Sequence, residues 1–274
     1  MKTMNFTKMH GLGNDFVIID QRTQNFDLNA YKIKSISNRN TGIGCDQLIT
    51  INNYKNEKSP LIEFFNSNGE EVLACGNGSR CVANILMNEM QVKEIELFTK
   101  EKKLSCSRIS GDLISINMGK PFFEWDKIPL REEVENKNIY FKNGGLKLES
   151  PYFVNIGNPH AIFFVNEVKN YSIDIFGPLI ETDKLFPEKI NVSIAQIKSS
   201  DHILVNVWER DSGKTLACGT AACAVAIVAI ENKKCENKIQ ITLPGGDLDV
   251  SYSPNENVIM SGLTEVSFQG EFSI

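Results

Sequence analysis

Histidine is scarce in this 274-residue chain, which holds three, and no two of its seven cysteines are spaced CxxC. Zinc sites and dithiol oxidoreductases need those patterns, so neither a metal nor a redox pair is expected. Long apolar runs are also missing: the longest, Ala221 to Ile230, is half of the roughly 20 residues that a membrane span needs. The opening MKTMNFTKMHGLGND lacks the apolar core of a signal peptide. Basic charge is not in excess either. With 29 basic against 34 acidic residues and a net charge of -5, neither nucleic acid nor an anionic membrane is the expected partner, and a small molecule is. Seven cysteines give no even disulfide framework, so reduced thiols in a soluble, cytoplasmic protein are expected.

What is present is an ordinary globular composition, 42% hydrophobic and 23% charged, in a chain long enough for two domains. Laid against itself with a shift of 143 to 144 residues, the chain aligns with its own second half. LACGNGSRC at Leu73 to Cys81 falls on LACGTAACA at Leu216 to Ala224. Alternating segments follow the same shift: GNDFVII on GNPHAIF, QLITI on NVSIA, LIEFF on LVNVW, and EIELFT on NKIQIT. KLSCSR and LISIN likewise find DLDVSY and VIMSG. Period-two alternation in these segments predicts strands. One offset shared by six segments, in one order, indicates an α+β duplication. The expected domains are 1–119, completed by a C-terminal strand at 264–274, and 120–263, with a seam near Gly119-Lys120-Pro121.

Each half is expected to carry an early helix, around Leu28 to Ser37 and Ser172 to Thr182, and a second helix directly after its cysteine motif. AACAVAIVAI, from Ala221, is apolar on every side and predicts a helix buried all round. Cys75 and Cys218 thus fall at helix starts, where unpaired N–H groups and the helix dipole favour a carboxylate and lower a thiol's pKa. Either cysteine alone reads as well as a small buried residue. Two in matched positions point to a role that takes two thiols. A cysteine hydrolase would leave one of them idle. Proton transfer on opposite faces of one carbon, as in a racemase or epimerase, uses both. Cys81, Cys106, Cys223 and Cys235 read as structural, and Cys45 is left open.

The motifs MHGLGNDF, GIGCDQ, FFNSNGEEVLACGNGSRC, GNPH, NVSIAQ and WERDSGKTLACGT, in order and spacing, resemble the diaminopimelate epimerase family over essentially the whole chain. These are racemases that work without pyridoxal phosphate. The resemblance implies two pseudosymmetric α+β domains, each a curved, barrel-like mixed sheet around a central helix, enclosing a cleft across which the two cysteines face each other. It implies Cys75 and Cys218 as the acid/base pair and the N–H groups of Gly76, Asn77, Gly219 and Thr220 as the cradle of the reacting carboxylate. Asn14, Gln47, Asn66, Asn158, Asn191, Glu209 and Arg210 match positions around the substrate, and His160 and Glu209 match positions that tune thiol ionisation. Arg210 suits a carboxylate fork and Glu209 an ammonium group. The implied substrate is LL-diaminopimelate, converted to the meso form without cofactor for lysine and peptidoglycan synthesis. A homodimer stays open. A proline or hydroxyproline racemase would share the thiols but has no use for Asn191, Glu209 and Arg210, and a non-catalytic amino-acid binding protein has no reason to keep both Cys-Gly pairs.

Four residues depart from the family pattern. Asp211 and Lys214 stand where Gly and Glu are usual, Ala221 where Gly is usual, and Cys45 where an apolar residue is common. Asp211 puts the backbone beside Arg210 in question, because glycine takes up angles that aspartate adopts less readily.

Overall fold

The computed structural model describes residues 3–54, 59–72 and 75–273; Leu73 and Ala74 of the first cysteine motif lie outside them. Two compact units form, Met1–Asn117 with Ser261–Ile274, and Met118–Met260. The first holds β1 (Thr3–Gly11), β2 (Asn14–Asp20), α1 (Ala30–Ser37), β3 (Gln47–Asn52), β4 (Leu61–Asn66), β5 (Glu71–Val72), α2 (Gly76–Met90), β6 (Glu94–Phe98) and β7 (Lys103–Ser110). The chain leaves this unit within β8 (Leu113–Gly119). The second holds β9 (Tyr140–Asn143), β10 (Leu146–Glu149), β11 (Tyr152–Asn155), β12 (Pro159–Phe164), α3 (Ile173–Glu181), β13 (Asn191–Ser199), β14 (His202–Glu209), β15 (Gly213–Lys214), α4 (Gly219–Glu231), β16 (Lys238–Leu243) and β17 (Gly246–Ser251). The chain returns to the first unit within β18 (Val258–Leu263), and β19 (Glu265–Ser273) pairs there antiparallel with β1.

Duplication is visible in the strand registers. In the first unit β2 pairs parallel with β3, Phe16 opposite Gln47; in the second, β12 pairs parallel with β13, His160 opposite Asn191. Leu48 opposite Phe65 on β3 and β4 becomes Val192 opposite Trp208 on β13 and β14. Phe65 opposite Glu71 becomes Trp208 opposite Lys214. Both units continue with a parallel step, β4 to β6 and β14 to β16, and an antiparallel one, β6 to β7 and β16 to β17. All six aligned segment pairs are strands, and both early helices and both post-cysteine helices form where the pattern places them.

Helices cover both faces of the strands that carry the site, which is why successive residues of β3 and β13 are buried on both faces despite their alternating sequence. On one face of the first unit Val17, Ile19 and Leu48 pack with Ile33 and Ile36 of α1. Phe16, Ile49 and Phe64 face the other way, against the first turn of α2 at Gly78. In the second unit Ala161, Phe163, Val192 and Ile194 pack with Ile173, Phe176 and Ile180 of α3. The opposite face is left to α4, whose residues from Ala221 to Ile230 are all buried, as an all-apolar helix requires. Each fully buried Val or Ile there contributes roughly 1.5–3 kcal/mol. Cys45 is buried in the α1-side core, its thiol donating to Ser37 Oγ at 3.4 Å, which accounts for a cysteine at an apolar position.

Candidate active site

Cys75 and Cys218 are the N-cap residues of α2 and α4, both in extended backbone. The first intrahelical bonds run from Ser79 N–H to Cys75 O at 2.8 Å and from Ala222 N–H to Cys218 O at 3.1 Å. Gly76 and Asn77, and Gly219 and Thr220, therefore lie in the first turn, where N–H groups have no intrahelical acceptor. In the first unit Gly78 N–H donates to Cys75 Sγ at 3.4 Å. Its counterpart, Ala221 N–H, favours the Cys218 thiolate in the same way.

The surroundings of the two sulfurs differ. Cys75 is half-buried, and its S–H donates to Asn14 Oδ1 at 3.9 Å, an oxygen that also accepts from Asn77 Nδ2 at 3.3 Å. Nearby, Gln47 Nε2 donates to Asn66 Oδ1 at 3.1 Å across β3 and β4. Cys218 is buried, 3.4 Å from Thr220 Oγ1, with Glu209 beside it. Burial and then the Glu209 carboxylate push its thiol well above the ordinary range, while Thr220 and the Ala221 N–H pull the other way. This corrects the expectation that a helix start lowers the thiol pKa: at Cys218 desolvation and an adjacent anion outweigh the helix.

The other second-unit candidates join the same strand ends. Asn191 Nδ2 donates to Pro159 O at 2.8 Å, and Asn191 Oδ1 accepts from the Arg210 N–H at 3.0 Å, so this amide ties β13 to the residue after β14. His160 is fully buried and sits 2.9 Å, by Nε2, from Asn158 Oδ1. That oxygen only accepts, so Nε2 carries the proton. Burial, with the Arg210 charge nearby, holds the ring's pKa down at about 3, so it is neutral at ordinary pH.

Three departures have structural answers. Asp211 takes the left-handed backbone a glycine would supply, with φ 62°. Its N–H donates to Glu181 Oε1 at 2.7 Å and its carboxylate pairs with Lys189, which offsets a strain of about 1 kcal/mol. Lys214 pairs with Asp174 on α3 at 2.9 Å. Ala221 fits because its surroundings are smaller. A methyl on Gly78 would come within 2.6 Å of Ile49 and 3.1 Å of Phe64, whereas Ser193 and Val207 stand at the duplicated positions.

Glu181, which the sequence reading did not single out, is buried and also accepts from Trp208 Nε1 at 2.7 Å. It thereby braces the β14 end that carries Glu209 and Arg210. Gly177 of α3 makes room for that indole: a Cβ there would lie 2.4 Å from Trp208 Cγ. Gly177→Ala is expected to destabilise the protein by about 1–3 kcal/mol and to lower activity, since relief moves Trp208 and the two residues after it. Urea unfolding beside steady-state rates checks this; an unchanged midpoint counts against the packing account. Asp46, which accepts from Asn14, and Arg39, which pairs with Asp46, were also not singled out. Among the described residues no cluster of three or more His, Cys, Asp or Glu side chains suited to a metal ion occurs, and no helix is long and apolar enough to cross a membrane.

Comparison with solved structures places the fold among duplicated α+β proteins that include epimerases. A phenazine biosynthesis protein of the PhzF family from Enterococcus faecalis aligns with TM-score 0.70 at 13% identity, covering all of both chains. A hydroxyproline epimerase from Agrobacterium vitis aligns with TM-score 0.63 at 10% identity, over 98% of this chain and 92% of that one. Within that class the chain belongs to the diaminopimelate epimerase family, whose model matches residues 6–123 and 152–268. It is 40% identical over 269 residues to the diaminopimelate epimerase of Zymomonas mobilis, covering 98% of this chain and 97% of that one. With the diaminopimelate epimerase of Pelagibacter ubique it shares 42% identity over 258 residues, 93% of each chain.

Proposed function

We propose that this protein epimerises diaminopimelate, converting the LL isomer to the meso isomer and back, in the cytoplasm, in the route to lysine and peptidoglycan. Cys75 and Cys218 act as base and acid on opposite faces of one α-carbon. One sulfur, as thiolate, takes the α-proton; the other, as thiol, delivers a proton to the opposite face, and their protonation states are exchanged after each turnover. The observation that carries the reading is the matched pair of helices that each begin at a cysteine, Cys75 and Cys218 being the N-cap residues of α2 and α4.

An α-proton beside a carboxylate is weakly acidic, so stabilising the charge that develops is the main task. First-turn N–H groups of α2 and α4, at Gly76, Asn77, Gly219 and Thr220, suit the reacting carboxylate. Arg210 and Glu209 offer charges complementary to the distal carboxylate and ammonium, and Asn14, Gln47, Asn66, Asn158 and Asn191 supply neutral amides around them. Glu209, beside Cys218, favours that sulfur as the thiol, and His160, neutral at ordinary pH, adds no positive charge that would pull either sulfur toward the thiolate.

Incubating the purified protein with LL-diaminopimelate and, separately, L-proline, without added cofactor, tests the reading. Inversion of the first and not the second is expected; turnover of proline alone overturns the substrate assignment. In heavy water at early times the meso product should carry about one deuterium at the inverted carbon while recovered LL substrate carries little, as separate acid and base groups require. Extensive protium retention in the product overturns the two-base mechanism.

A further inference from the structure

In the first unit four side chains form a hydrogen-bond chain that has no counterpart in the second. Arg80, fully buried on α2, donates from Nη2 to Asn77 Oδ1 at 2.9 Å. Asn77 Nδ2 donates to Asn14 Oδ1 at 3.3 Å, and Asn14 Nδ2 donates to Asp46 Oδ2 at 3.1 Å. Both ends have a fixed polarity: a guanidinium only donates, and a carboxylate only accepts. The two amides between them therefore have one orientation open to them, and either end alone suffices to impose it. Asp46 is held in turn by Arg39 at 2.8 Å and accepts from the Asp15 N–H at 3.1 Å. At the duplicated positions Arg80, Asn77 and Asp46 are replaced by Cys223, Thr220 and Ile190.

Cys75 joins this chain at the Asn14 oxygen. An acceptor facing sulfur favours the thiol; an NH2 group in its place would favour the thiolate. We propose that Asp46 and Asn77 are positioning residues that together lock the Asn14 amide with its oxygen toward Cys75, which raises the pH at which this sulfur becomes a thiolate. The lock rests on the reading of Cys75 as an acid/base group, but it can be measured without substrate. On the strands that α2 packs against, Lys8 pairs with Asp15 at 2.5 Å and Lys103 with Glu96 at 2.8 Å, Arg108 donates to Asn88 Oδ1 at 2.8 Å, and His10 lies 3.6 Å from Glu265. Cys81, the thiol on the same helix, is fully buried.

The test is a double-variant cycle read by peptide-resolved alkylation of Cys75 across pH. Asp46→Asn leaves Asn77 to orient Asn14, and Asn77→Thr, the residue of the second half, leaves Asp46 to do so; each alone is expected to change the alkylation rate at pH 7 by less than about threefold. The double variant frees the amide to turn, and its Cys75 titration is expected to move down by about one pH unit, close to tenfold faster alkylation at pH 7. Charge removal acting through space predicts that the double variant matches Asp46→Asn alone, and general loosening predicts faster alkylation at every pH without a displaced midpoint; either result overturns the proposal. Asp46→Ser with Asn77→Thr is read in the same way should the first double variant not fold. If the double variant behaves as expected while the wild-type protein does not invert LL-diaminopimelate, the lock stands and the proposed function falls.

Discussion

Alanine at Cys75 or at Cys218 is expected to lower the rate of epimerisation by about a thousandfold or more while leaving the protein folded. Each thiol serves one face of the substrate, so neither can replace the other, and a positioned acid or base is worth roughly 10²–10⁴ in rate. The structural loss is small by comparison. At Cys75 it is one sulfur cap on the Gly78 N–H, worth about 0.5–2 kcal/mol. At Cys218 a buried sulfur becomes a methyl beside Thr220. Stereoisomer ratios over time, with thermal unfolding of each variant, check both halves of the expectation. A variant with near-wild-type inversion rules out the two-base mechanism, and one that fails to fold shows that the cysteine is structural.

Acid should destabilise the protein through His160 more than through an ordinary histidine. In the folded chain burial holds this ring at about 3, against 6.5 for an exposed one. Between those values the unfolded chain binds a proton that the folded chain does not, so stability is complete above about pH 6.5 and falls as the pH drops through the window. At 1.36 kcal/mol per unit the total is roughly 3–5 kcal/mol. His160→Gln keeps an amide donor for Asn158 Oδ1 and removes the titration. Urea unfolding at pH 7 and pH 4.5 should show the wild type losing about 2–3 kcal/mol more than the variant. Equal losses would mean that the ring protonates without unfolding.

Much of this architecture can be read from residues because the duplication tests itself. A strand pattern such as LIEFF is ambiguous alone, but it recurs as LVNVW at the offset that also carries one cysteine motif onto the other, and both are strands. Elements without a duplicate were harder to see. The hairpin of β9 and β10 has only four residues in each strand, three of them exposed in each. The two-residue strands β5 and β15, although they duplicate each other, are too short for any period. The candidate site divides in the same way. Cys75 and Cys218 announce themselves by repetition, whereas Asp46 and Glu181 act through hydrogen bonds between elements far apart in sequence, which leave no periodic trace. The high thiol pKa at Cys218 was out of reach for a related reason: it depends on how deeply the helix start is buried and on Glu209 arriving from another strand.

The pairing of β1 with β19 bears on how the molecule is made. Thr3 lies opposite Ser273 and His10 opposite Glu265, so β1 waits for a strand that is made only after the whole second unit. Met118–Met260 is complete in a single stretch of chain and can fold while synthesis continues, as domains generally do. The unit that contains Cys75 closes by joining the two most distant parts of the sequence, a contact whose loop entropy makes it slow to form. During synthesis, then, the half that begins first is finished second, with one edge of its sheet exposed until β19 arrives.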